Sequence, residues 1–377
     1  MDKIFKRTLL GAAITAAAVA AVPAQAEGKY EHGIYGVIAM QVADRQYDNE
    51  KNNNGTQANH ESRLGWKGTA KFDNLQDWTF LWQIESGYVD PSFGPEDGGN
   101  LLGHRDTFVG FEHERFGQVR VGRVLTPIYE LIDWPATNPG MGNVWDWGGT
   151  IGGNNFNDRQ SDTIRWDTNE LWKGFTMDIA VGAGQDRAGA TDSEKAGSNY
   201  WHGMAAHQQF KGDWGWVQFD LAYEMNYKTK GSYPTGTVDT EGEPVSGTEY
   251  WDNQTYLIGS QGGFSNGLGY FAYYRIAKAD NDRGVDERED SYSVGMTYNF
   301  GNWQAKVARA ENLGLEVDGK DIENTEDNVT SFQMMYFVDT NAVLYARYAI
   351  NDLGDSYQGR WKSDSFDEAS VGVEYYF

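Results

Sequence analysis

The chain of 377 residues has no cysteine, so disulfides cannot hold it together and the small stapled secreted folds are excluded. Its stability has to come from extensive backbone pairing and a large apolar contact. Positive charge is short. There are 31 Lys and Arg against 55 Asp and Glu, a net charge of −24 with no basic tail to offset it, which disfavours nucleic acid as a partner. Beyond residue 26 no long uninterrupted apolar run occurs, so membrane-spanning helices are excluded. Histidine is scarce too, with six copies; His202 and His207, like His104 and His113, are an odd number apart and point to opposite faces of an extended chain. No nucleophile and base can be paired, which argues against an enzyme.

What is present begins with a leader. Lys3, Lys6 and Arg7 precede the apolar "LLGAAITAAAVAAV", and "PAQA" follows as a small-residue cleavage site, the order of a secretory signal. The expected division is a cleaved signal over 1–26 and one barrel domain over 27–377. The leader carries a net +2 (Lys3, Lys6 and Arg7 against Asp2), so its removal leaves −26.

The rest alternates. In the terminal "ASVGVEYYF", Val371, Val373, Tyr375 and Phe377 fall on one side and Gly372, Glu374 and Tyr376 on the other, the period of a strand between two unlike environments. Trp78, Phe80, Trp82 and Ile84 oppose Thr79, Gln83 and Glu85. Phe175, Met177, Ile179 and Val181 oppose Thr176 and Asp178; Val217, Phe219, Leu221 and Tyr223 oppose Gln218, Asp220 and Glu224. Strands of this kind are half in oil and half in water, and a low mean hydropathy is compatible with a membrane when only alternate residues touch lipid.

Sixteen such segments are expected, at 34–44, 62–72, 78–89, 104–114, 117–124, 161–168, 175–184, 200–210, 215–227, 251–264, 269–279, 290–300, 303–313, 328–338, 342–352 and 366–377. Short connections such as "RFG", "KGDWG", "GN" and "DTN" alternate with long ones rich in Asn, Asp, Gly and Glu, as when one barrel rim faces the periplasm and the other the outside. Aromatics flank the short turns: Phe72 and Trp78, Phe116, Trp172 and Phe175, Phe210 and Trp214, Phe300 and Trp303, Tyr376 and Phe377. They read as a periplasmic girdle. A soluble sandwich or propeller is the competitor, but a sandwich needs an apolar interior where this chain has Ser, Thr, Gln, Gly and charge, and no blade-length repeat is visible. The fold class expected is all-β, a transmembrane antiparallel barrel of sixteen strands.

Three stretches resemble the general bacterial porins, the trimeric sixteen-stranded channels of Gram-negative outer membranes: "ESRLGWKGTAKF", "RDTFVGFEHERFGQVRVGRVLTPIY" and "SDTIRWDT". Signal, strand number, terminal Phe377 and a long third outer loop extend the resemblance over the whole chain. It implies that this loop folds into the barrel and opposes acidic residues to a ladder of arginines. The first two motifs place Arg63 and Arg105 in that ladder. Alternation agrees for Arg63 and Lys67, because Leu64 and Trp66 claim the outer face; if Arg105 faces inward, Asp106 points outward beside Phe108. Ile164 and Trp166 likewise send Arg165 inward, and the same parity places Arg120, Lys306 and Arg347 on the lumen while Arg123 goes to the rim.

The third loop spans about 125–160, and a loop this long without secondary structure of its own is usually functional. It holds Glu130, Asp133, Asp146 and Asp158, but "TNPGMGN" lacks the acidic residue the family carries after its proline. Glu130 and Asp133 are the candidates for the acidic side. Tyr375 and Phe377 match the family's C-terminal assembly signal.

The function this implies is passive diffusion of ions and small hydrophilic solutes through a water-filled channel in the outer membrane. Implied partners are two further copies of the chain, outer-membrane lipid and lipopolysaccharide, and the barrel-assembly machinery; no cofactor is implied. A substrate-specific sugar porin is the nearer alternative, with Trp134, Trp145 and Trp147 of the third loop as a stacking track. A barrel enzyme is the more distant one. The acidic stretches "ADNDRGVDERED" and "EVDGKDIENTEDN" lack the spacing of a dedicated Ca²⁺ loop and read as solvated loops, and "NQT" and "NVT" as chance glycosylation patterns.

Overall fold

The computed structural model describes residues 30–48, 55–87, 102–133, 136, 151, 159–183, 200–238, 244–355 and 364–377. The leader, the second outer loop around "DPSFGPEDGGN", Asp146, Asp158, "TNPGMGN" and Trp134, Trp145 and Trp147 lie outside them.

The described chain is one antiparallel sheet closed on itself. Its strands are β1 (Tyr30–Tyr47), β2 in two pieces (Gly55–His60 and Arg63–Lys71), β3 (Trp78–Gly87), β4 (Thr107–His113), β5 (Gly117–Leu125), β6 (Arg159–Asp167), β7 (Phe175–Ala183) and β8 (Tyr200–Gly212). They continue as β9 (Gly215–Val238), β10 (Pro244–Phe264), β11 (Leu268–Asn281), β12 (Asp286–Phe300), β13 (Trp303–Val317), β14 (Asp327–Asp339), β15 (Ala342–Leu353) and β16 (Phe366–Tyr376). Lys320–Asp321 pairs only with the end of β13, so the barrel has sixteen strands among the described residues. Each pairs with its neighbours in sequence, and β1 closes the ring against β16 from Val37↔Tyr376 to Tyr47↔Phe366. The last residue completes the seam: Gly36 N–H donates to Phe377 O at 2.9 Å, and Phe377 N–H to Gly36 O at 3.1 Å.

Alternation sorts the side chains as two solvents require. Leu64 is 55% exposed, Ile258 58% and Val371 58%, all outward, whereas Gln41, Thr255, Ser331 and Ser370 on the inner face are buried. No helix among the described residues is long and apolar enough to cross a membrane, so spanning is left to the strands.

Three features depart from the expected segments. First, β2 is interrupted at Glu61 and Ser62; the Ser62 hydroxyl accepts from Ala39 N–H at 3.1 Å and so replaces a ladder bond at the break. Second, β9 and β10 run on past the ends of their neighbours. Pairing with β8 stops at Tyr227 and with β11 at Trp251, while β9 and β10 pair together as far as Val238↔Pro244. That outer part pairs only within β9 and β10, and its sequence carries no apolar–polar alternation. Third, the inner wall is not uniformly polar: Ala205, Leu257, Phe271, Ala308 and Val329 point inward and are buried together.

Candidate functional site

The apolar inner wall is covered by the start of the third outer loop, which contains a short helix, α1 (Pro127–Asp133). The local sequence dictates it. Thr126 Oγ1 accepts from Tyr129 N–H at 3.4 Å, Pro127 takes the first turn where its missing N–H costs nothing, and Ile128, Leu131 and Ile132 form one stripe. That stripe and Ala136 pack on Ala205, Ala222, Leu257, Phe271 and Tyr273 of β8–β11. Farther along the loop Ile151 is buried with Trp251, Ala277, Ala279 and Leu315. Helix α1, Ala136 and Ile151 therefore pack against inward-facing side chains of the barrel wall, in contacts worth roughly 1.5–3 kcal/mol for each fully buried aliphatic side chain.

With the stripe against the wall, Glu130 emerges from the other side of α1 and meets Arg165 of β6. Arg165 Nη2 donates to Glu130 Oε2 at 2.7 Å, Nη1 to Leu125 O at 2.7 Å, and Nε to Asp167 Oδ1 at 2.5 Å, with Asp178 Oδ2 at 3.5 Å. The guanidinium is 1% exposed and surrounded by acceptors, as a buried cation must be. The chain of contacts continues. His207 places Nε2 at 3.2 Å from Asp178 Oδ2 and Nδ1 at 2.6 Å from Asp220 Oδ1, and Asp220 also accepts from the Tyr273 hydroxyl at 2.5 Å and from Gln218 Nε2 at 2.8 Å. A neutral imidazole can donate to only one of those carboxylates, so both contacts are hydrogen bonds only in the imidazolium form.

The other basic residues divide into paired and unpaired. Arg105 Nε donates to Glu85 Oε1 at 2.6 Å, and the Tyr35 hydroxyl donates to Oε2 of the same carboxylate at 2.8 Å. Arg120 pairs with Asp167 and lies over the Phe108 ring at 5.3 Å. Arg347 Nη2 donates to Glu368 Oε1 at 2.7 Å. Lys306 Nζ donates to the Ala136 carbonyl of the loop at 3.3 Å and lies 5.5 Å from the Phe271 ring. Arg63 and Lys67 make no ion pair, and Lys67 sits 4.4 Å over the Tyr35 ring. Asp133, at the end of α1, acts electrostatically on Lys306 and on Glu61. Tyr375 faces outward and stacks on Phe377 at 6.3 Å.

One expectation is corrected here. Asp106 does not point outward beside Phe108; both face the lumen. Arg105 precedes the first residue of β4, so strand parity does not reach it, and Phe108 shares the inner face with Gly110 and Arg120. Asp106 is buried, accepts from Arg159 Nε at 2.7 Å and from Leu125 N–H at 3.2 Å. Burial opposes its ionisation, yet the Arg159 guanidinium holds its carboxyl below the ordinary value. Two tryptophans, Trp201 and Trp251, are buried on the inner face.

Sequence reasoning missed the counter-ions. Glu85, Asp167, Asp178, Asp220 and Glu368 all have inward parity, so alternation could have marked them, but which cation each meets depends on register between strands.

Comparison with known proteins agrees with this architecture. The family described as Gram-negative porin matches residues 13–356. A chitoporin of Vibrio furnissii is 32% identical over 385 residues, covering 100% of both chains. Among solved structures, an anion-selective porin from Comamonas acidovorans superposes with TM-score 0.68 at 17% identity, covering 92% of this chain and 100% of that one. The outer membrane protein OmpT of Vibrio cholerae gives 0.69 at 14% identity over 94% and 100%, and its trimer form 0.65 at 15% over 93% and 100%. The chain belongs to the Gram-negative porin family. It is an outer-membrane β-barrel whose lumen is a channel for passive diffusion of ions and small hydrophilic solutes.

Proposed function

We propose that the channel is narrowest where α1 meets β6, and that its selectivity there is weak with a lean toward cations. The carrying observation is the Glu130–Arg165 contact at 2.7 Å. It places an acidic loop residue against the basic wall rather than across open water from it. Arg105, Arg120, Arg165 and Arg347 are each matched by a carboxylate, while Arg63 and Lys67 form no ion pair among the described residues. A wall so neutralised orients polar solutes without strongly repelling cations, and the −24 net charge enriches cations at the mouth. Reversal potential across a salt gradient in a planar bilayer tests this: a potential of cation-selective sign is expected, and a strongly anion-selective one overturns it.

The working unit is a trimer made after removal of residues 1–26, in keeping with the trimer form of OmpT, and Tyr375 and Phe377 serve barrel assembly. Lipopolysaccharide and the assembly machinery are its partners in the membrane. Openings in groups of three and heat-sensitive migration at about three times the monomer mass would accompany it.

A second reading is favoured by the full-length 32% identity to a chitoporin: a channel specialised for chitin oligosaccharides. Millimolar chito-oligosaccharide blocking the ionic current supports it, and unblocked current rejects it.

A further inference from the structure

We propose that the lumen wall formed by β13–β16 carries a binding site for a small monovalent anion, centred on Arg347 and Gln333. Register puts the groups side by side: Lys306 lies opposite Gln333, Gln333 opposite Arg347, and Arg347 opposite Ser370. Directly opposed residues have Cβ atoms about 5 Å apart, so four side chains on four adjacent strands form one transverse row. Their sequence neighbours Val307, Phe332, Tyr348 and Val371 face out, which sends the whole row inward.

Several polar groups of the row have no partner. Gln333 is 5% exposed and Arg347 7%, yet both amide atoms of Gln333, Arg347 Nε, Arg347 Nη1 and Ser370 Oγ are buried without a hydrogen-bond partner. A buried donor left unmet costs about 1–3 kcal/mol, so several together mark a place suited to an acceptor. Arg45 and Arg347 share the Glu368 carboxylate, at 2.7 Å each. Arg347 spends only Nη2 on that carboxylate and on Gln41, so its Nε–H and Nη1–H groups are turned to no protein acceptor. Guanidinium N–H groups beside an amide N–H and a hydroxyl, with Lys306 one strand beyond, suit a halide or a small carboxylate. A divalent cation would find no ligand charge in the row. None of these side chains takes part in the Glu130–Arg165 contact.

Bromide is the probe. Crystals of the intact protein soaked in sodium bromide should give an anomalous peak within hydrogen-bonding reach of Arg347 Nη1 and Gln333 Nε2. The peak should be lost in Arg347→Gln and Gln333→Leu, provided each variant still yields a heat-modifiable barrel. In bilayers, single-channel conductance of the wild type should saturate with rising bromide where Gln333→Leu stays linear. Water density without anomalous signal overturns the proposal, as does a peak that survives Arg347→Gln. A peak that appears while conductance is linear in both proteins means an adventitious ion only and also overturns it.

Discussion

Glu130 and Arg165 touch at 2.7 Å although one belongs to a loop helix and the other to a barrel strand. The pair ties α1 to β6, while the apolar stripe of the same helix ties it to β8–β11. The loop is thus fastened to two sides of the lumen.

Removing the loop carboxylate should change ion flow more than stability. In Glu130→Gln the amide still accepts from Arg165, and Asp167 and Asp178 still compensate the guanidinium. One charge about 5 Å from the path of a monovalent ion is worth about 0.8 kcal/mol in bulk water, so the permeability ratio should move toward anions by at most about fourfold. Reversal potential in a salt gradient reads this directly.

Arg165→Met should do the opposite. It leaves Glu130, Asp167 and Asp178 without their common cation in a buried place, at a cost of about 3–5 kcal/mol. Urea unfolding in lipid vesicles should show the loss, and Glu130→Gln in the same chain should return part of it.

His207→Gln tests the histidine bridge. Glutamine has one amide nitrogen and cannot donate to Asp178 and Asp220 in the geometry of a ring. With a positive charge removed from between two neighbouring carboxylates, selectivity should shift toward cations, and His207→Lys should shift it back. Equal reversal potentials in wild type and both variants would reduce the histidine to a packing role.

On the lipid face the sign of a substitution follows depth. Ile258 is outward and central in β10, paired with Leu221 and Tyr274, so Ile258→Arg should cost about 2–4 kcal/mol of unfolding free energy in vesicles. Lys278, also outward but near the outer end of β11, should tolerate Arg with little change.

Gly65 is needed for a different reason. The Tyr35 ring lies across it, and a Cβ there would come within 2.2 Å of the ring. Gly65→Val should displace Tyr35 from its hydroxyl bond to Glu85 and lower stability by about 1–3 kcal/mol, measured by the same unfolding assay.

The barrel was legible because the membrane writes a period of two into every strand it touches: Leu64, Ile258 and Val371 announce their faces without any knowledge of their partners. Where lipid stops, so does legibility. Thr229–Val238 is strand paired only with β10, and its Gly, Pro and Thr carry no alternation to read. Helix α1 offered only seven residues, too few for a periodic signal, although Thr126-Pro127 was a start signal in plain view. The inward arginines could be named from parity. Their pairing could not, because Arg165 meets Glu130 through the fold of a loop, and Asp106 turns inward just before its strand begins.

The hydrogen bonds between Gly36 and Phe377 join the first strand to the final residue of the chain. Until β16 is in place, β1 lacks its partner and shows an unpaired edge, an open invitation to any other strand. The seam pairs the two strands farthest apart in sequence, so the contact that closes the longest stretch of chain is also the one that abolishes the edge.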